Sequence, residues 1–199
     1  MARTQQQRRE ETRARLLDAA IATIVEVGYA RASAAVIARR AEVSDGALFK
    51  HFATMGDFMA ATALEVMRRQ LEQFSKQIAE IPSDRPALEG ALIALRDISG
   101  NATNAVMYEL MVAARTDEKL RTTLQGALVE YGRNIYETAQ EMPGADQLPP
   151  ELLMLIVAVM VNTFDGAALI RAVGAQIVIN VGASFVNMTV LDACIATGA

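Results

Sequence analysis

ASAAVIARRAEVSDGALFKHF, residues 32–52, is the stretch whose reading decides the fold. Its spacing predicts two short helices joined by a tight turn. Ile37, Ala38 and Ala41 give the first piece one apolar face, and Leu48 and Phe52 do the same for the second. In the turn Glu42-Val43-Ser44, Val43 is placed to fill the gap between the helices and Ser44 to cap the second one. Asp45 suits the positive end of that helix. Gly46 and Ala47 leave its N-terminus almost bare, so that it can lie close against another surface, a DNA backbone among them. The layout is that of a helix-turn-helix, whose second helix enters the major groove.

Outward from this stretch the chain keeps reading as helix. Upstream, Leu17, Ile21, Ile24 and Val27 mark the buried stripe of a helix over about 10–27, with Leu16 and Ala20 alongside. Gly28 ends it, Tyr29 packs back under the turn, and Ser33 caps the next helix. Residues 1–9, MARTQQQRR, are expected to form a solvated basic arm. Downstream, Thr54 and Asp57 have the spacing of a capping box and open a long helix over about 56–81, free of proline until Pro82. Further helices are expected over about 84–99, 104–115, 118–142, 150–173 and 174–197, with Pro143 to Pro149 as a connector.

Composition agrees with an all-α protein. The 199 residues can bury a real core; hydrophobic content is 52% and charged content 21%, which excludes disorder. Cys194 is the one cysteine, so neither an intrachain disulfide nor a cysteine metal cluster is expected, and a reducing cytoplasm fits. No basic-then-apolar leader opens the chain. The net charge of −4 speaks against nucleic acid until it is divided. Residues 1–60 hold nine Lys+Arg against seven Asp+Glu, whereas residues 61–199 hold ten against sixteen. The first part tolerates a polyanion, and its arginines gather at Arg3, Arg8, Arg9, Arg13 and Arg15.

From Leu152 to Ala199 the only charged residues are Asp165, Arg171 and Asp192. A membrane hairpin is disfavoured: the apolar run 152–161 is ten residues, and Asn162, Thr163 and Asp165 would sit at the deepest point. Two such helices are better buried against a second copy, which predicts a homodimer through the last two helices, as a four-helix bundle.

Thr12-Arg13-x-x-Leu16-Leu17-x-Ala19-Ala20, then Gly28-Tyr29, then Ile37-Ala38-x-x-Ala41-x-Val43-Ser44-x-Gly46-x-Leu48-Phe49-x-His51-Phe52 resembles the TetR family of bacterial transcriptional repressors. The match is specific over residues 12–60; beyond them only the helix count and Phe164-Asp165-Gly166 are similar. The resemblance implies a three-helix DNA-binding domain, residues 1–55, and a larger helical effector-binding and dimerisation domain, residues 56–199. It also implies that Ser33, Ser44, Gly46, Ala47, Phe49, Lys50 and His51 face DNA, together with Asp45, at a position that is often Lys in that family. Glu42 stands where the family often has Gly, Phe49 replaces a usual Tyr, and Met55 a usual Lys. The last two substitutions, with Asp45, predict weaker and more salt-sensitive DNA affinity unless the arginine arm compensates.

His51 is the only histidine and has no evident nucleophile or carboxylate partner, and no phosphate loop, metal spacing or triad is present. No enzyme, cofactor or metal is therefore expected. In the second domain, Met67, Leu71, Phe74, Met107 and Met111 supply apolar surface. Tyr108, Tyr131, Asn134, Asn162 and Asp165 interrupt the surrounding apolar pattern as groups able to orient a ligand, which predicts a small hydrophobic effector. The leading expectation is a dimeric repressor released from a palindromic double-stranded operator by that effector. The rival is a small-molecule-binding or catalytic helical protein retaining a degenerate helix-turn-helix.

Overall fold

The computed structural model describes residues 4–82 and 84–172, and within them every regular element is helical. In chain order these are α1 (Gln5–Val27), α2 (Ala34–Arg40), α3 (Asp45–His51), α4 (Met55–Ala79), α5 (Ala87–Ser99), α6 (Ala102–Ala113), α7 (Glu118–Gln140) and α8 (Pro150–Ala172). Single 3-10 turns lie at Tyr29–Arg31 and Ala145–Gln147. The expected last helix, 174–197, lies outside the described residues.

The helix ends follow local chemistry. Gly28 closes α1 at φ 83°, a value open to glycine at little cost, and donates its N–H to Ile24 O at 2.9 Å. Ser33 Oγ accepts the Val36 N–H at the start of α2, 3.4 Å away. Thr54 Oγ1 accepts the Asp57 N–H at 3.1 Å and donates its own proton to Asp57 Oδ2 at 2.8 Å. The shorter Asp thus returns to the hydroxyl rather than to the Thr54 N–H.

Two expectations are corrected. Residues 5–9 belong to α1 and not to an arm: Thr4 and Gln7 make a reciprocal capping box that starts the helix at Gln5. Ser44 occupies the N-cap of α3 with extended backbone, but its side chain makes no capping hydrogen bond; the turn is held by backbone bonds instead.

The chain forms two compact units. Among the described residues, the first comprises 4–72 and 101–134 and the second 73–82, 84–100 and 135–172, so α4 and α7 each have residues in both. One core runs through the first unit. Leu16, Ala20 and Ile24 of α1, Ile37 of α2 and Leu48 of α3 meet Phe58, Met59 and Val66 of α4, Val106 and Leu110 of α6, and Leu120 of α7. The helix-turn-helix therefore has no core of its own. In the second unit, Phe74 and Ile78 of α4 pack with Ala94, Leu95 and Ile98 of α5. Ser99 Oγ there donates to Asp165 Oδ1 of α8 at 2.9 Å.

Within α8, Leu153, Phe164 and Ala168 are buried, whereas Leu152, Met154, Leu155, Val159, Leu169 and Ile170 are exposed. By length and composition α8 is also apolar enough to cross a membrane. Asn162 Nδ2 and Thr163 Oγ1 donate back to the carbonyls of Ala158 and Val159 at 2.7 Å, within the helix.

Candidate nucleic-acid interface

The interface is built on the turn between α2 and α3. Ala41 donates to Ile37 O at 2.9 Å, Glu42 to Arg39 O at 3.2 Å and Val43 to Ala38 O at 3.0 Å, which closes the turn between the two helices. Glu42 is held at φ 56°, the left-handed region. The turn keeps the backbone that a glycine would take freely, and a glutamate bears the strain. Val43 packs half-buried against the core, as the spacing predicts.

Leu48 fixes the roll of α3. It is fully buried, worth about 1.5–3 kcal/mol relative to exposure. With Leu48 inward, Gly46, Phe49 and Lys50 face outward, and Phe49 is 49% exposed although it is a large apolar side chain. Ala47 and His51 are half-buried, and Ser33 and Ser44 are exposed at the starts of α2 and α3. Met55, by contrast, packs against the core rather than standing free.

Two of the arginines gathered near the N-terminus, Arg9 and Arg13, come to the end of α3 on helix α1. The Arg13 guanidinium of α1 lies 4.8 Å from the centre of the Phe52 ring, a cation–π contact at the end of α3. The His51 imidazole is held below its ordinary pKa, by burial first and then by the charges of Arg9 and Arg13. Arg9 and Arg13 are four residues apart and so share one side of α1. The signal for this was the Thr4–Gln7 capping box, which extends α1 far enough to put Arg9 on a helix. Arg40, by contrast, is committed to Glu26, at 2.5 Å, and to Thr23 Oγ1, at 3.4 Å.

The expected effector residues divide between the units. In the first, Met67 and Met107 are core, Met111 and Tyr131 pack against it, and Leu71, Tyr108 and Asn134 are half-buried. In the second, Phe74 is core, Asp165 accepts from Ser99, and Asn162 is exposed. The sequence reading passed over the buried pair of the first unit: Gln70 of α4 donates to Asn104 of α6, whose Nδ2 donates to the Tyr108 hydroxyl at 2.6 Å. Three polar side chains are thus linked, Gln70 and Asn104 buried and Tyr108 half-buried.

A helix-turn-helix with an exposed second helix, continuing into a larger all-helical body, defines the class of helical DNA-binding regulators. Residues 16–62 match the family model described as bacterial regulatory proteins, tetR family. An HTH-type transcriptional regulator of Mycobacterium tuberculosis (strain H37Rv), itself uncharacterised, is 68% identical over 176 residues, covering 88% of this chain and 90% of its own. The chain belongs to the TetR family of bacterial transcriptional regulators.

Solved structures share the fold. The multidrug binding protein EbrR complexed with imidazole superposes at a TM-score of 0.64 with 21% identity, over 88% of this chain and 92% of that one. The transcriptional regulator FadR from Bacillus subtilis, in complex with stearoyl-CoA, does so at 0.61 with 19% identity, over 87% and 95%.

Proposed function

We propose that this regulator is a homodimeric repressor that binds a palindromic operator and leaves it when a small hydrophobic effector binds. The observation that carries the reading is the outward face of α3. Gly46, Phe49 and Lys50 are exposed on a helix whose opposite side is pinned by Leu48, an arrangement that serves a partner rather than the core. On this reading Ser33, Ser44, Asp45, Gly46, Ala47, Phe49, Lys50 and His51 face DNA, with Arg9 and Arg13 added on the side of α1. Two copies set their recognition helices about one DNA turn apart, roughly 34 Å.

Residues 1–55 then act as the DNA reader and 56–199 as the effector and dimer domain, a division of labour rather than of packing. The Gln70–Asn104–Tyr108 string gives an effector polar groups to exchange bonds with, amid Met67, Leu71, Met107, Met111, Tyr131 and Asn134. Phe74, Asn162 and Asp165 are the candidates in the second unit. The ligands named for EbrR and FadR agree with a family that accepts small or acyl-bearing molecules. No catalytic role is assigned, and the cytoplasm is the compartment that fits.

The test is selection of bound duplexes from a random-sequence library by the purified protein. Enrichment of one inverted repeat is the expected result. Enrichment of none would leave the rival, a helical small-molecule binder, in its place.

A further inference from the structure

Two side chains, those of Glu109 and Lys119, reach the helix-turn-helix at its two ends. At the front, Glu109 of α6 accepts the Tyr29 N–H with Oε2, and the same carboxylate lies 3.4 Å from where a side chain at Gly28 would begin. At the back, Lys119 of α7 places Nζ 2.6 Å from Asp57 Oδ1, the carboxylate that also takes the Thr54 hydroxyl. Asp117 precedes Lys119 by two residues. Its Oδ1 caps α7 by accepting the Leu120 N–H at 2.9 Å, while Oδ2 lies 3.9 Å from where a side chain at Gly56 would begin. Leu110 and Leu120, both fully buried, anchor this corner in the core of the first unit.

All of α2 and α3 lies between the two points of attachment, residues 29 and 57. Each of these helices is seven residues long, so their pose is set by where their ends are held. Both holds are charge-assisted and directional, and a displacement of about 1 Å takes such a bond out of range.

We propose that Glu109 and Lys119 are positioning residues: their holds on Tyr29 and Asp57 set the pose of the helix-turn-helix for DNA, a role that rests on the repressor reading above. Lys119 acts here through Asp57 and not on a phosphate, which gives the role a distinct signature.

The experiment compares wild type, Glu109→Met, Lys119→Met and the double variant on the duplex that wild-type protein enriches. Affinity is measured across a salt series, with amide hydrogen exchange over residues 29–57 followed in the free protein. Each single variant should bind about fivefold more weakly and the double at least about tenfold, at the wild-type salt slope, since no phosphate contact is lost. Exchange over α2 and α3 should be faster in the double variant. Arg69→Met, which breaks the α4–α1 pair with Asp18 elsewhere, should leave affinity within about twofold.

Wild-type affinity and exchange in the double variant would overturn the proposal. So would a salt slope lowered by about one for Lys119→Met, the mark of a direct phosphate contact. If Glu109→Met does not fold, Lys119→Met alone decides, since that ion pair is largely exposed. If wild type enriches no duplex, the repressor reading fails in the wild-type arm, and the exchange measurement still decides whether the corner holds the reader.

Discussion

Glu42 carries a cost in this fold that its position in the turn explains. A left-handed backbone costs a residue with a Cβ about 1 kcal/mol, and glycine avoids that cost while gaining freedom in the unfolded chain. Glu42→Gly is therefore expected to stabilise the protein by about 0.5 kcal/mol, seen as a higher urea midpoint at unchanged slope. Glu42→Val should lower it by more than about 1 kcal/mol, because a β-branched side chain fits that region worst. A lower midpoint for the glycine variant would show that the turn bears no strain. Lys50 gives the companion prediction for binding. Its side chain is exposed on α3, so Lys50→Ala should weaken operator binding and, for a phosphate contact, reduce the salt slope by about one. Equal affinity at several salt concentrations would remove Lys50 from the interface.

At the scale of the element, α4 is stiffened by a fork of charges. Glu65 Oε1 lies 2.7 Å from both Arg68 and Arg69, Arg68 also reaches Glu72 at 2.5 Å, and Arg69 reaches across to Asp18 of α1. The Arg68 hydrogen bond, ahead of that from Arg69, holds the Glu65 carboxyl at a pKa of about 2, against an ordinary 4.5. Because the folded value is the lower one, the folded chain binds the proton later than the unfolded chain. The stabilisation is then complete above about pH 4.5 and disappears as pH falls toward 2. Solvent screens the fork, so its worth is about 1 kcal/mol. Glu65→Gln should lower stability by that amount at pH 7 and by almost nothing near pH 2. A gap that stays constant across this range in urea titrations would mean that the fork does not stabilise α4.

Such long-range pairs were the part of the molecule that the sequence hid. The helix-turn-helix was legible because Ile37, Ala41, Leu48 and Phe52 are local and periodic, and all four are core. The start of α1 was not, because residues 5–10 offer no apolar position, and only Thr4 and Gln7 mark the cap. Gln70 with Asn104, and Glu109 with Tyr29, pair residues 34 and 80 apart in the chain. Each alone reads as an ordinary polar residue on a helix surface, and no periodicity brings such partners together.

The whole molecule is decided by what covers α8. A helix that exposes Leu152, Met154, Leu155, Val159, Leu169 and Ile170 from one chain presents the kind of apolar surface that obligate interfaces bury. The homodimer proposed above needs a two-fold axis, and the apolar face of α8 is the candidate for it. Val159 stands at 48% exposure near the middle of α8, away from the Ser99–Asp165 bond. Glutamate there would be desolvated without a partner in the dimer, at a cost of several kcal/mol, whereas in a monomer it would sit in water. Val159→Glu is thus expected to sediment as monomer or aggregate. Val129→Glu, on the 71% exposed position of α7, should remain dimeric. On the proposed reading of two half-sites together, the monomeric variant should also lose the inverted repeat as a preferred target while retaining weak, salt-dependent binding to any duplex. A Val159→Glu protein that stays a tight dimer and binds its operator normally would place the two-fold axis away from the centre of α8.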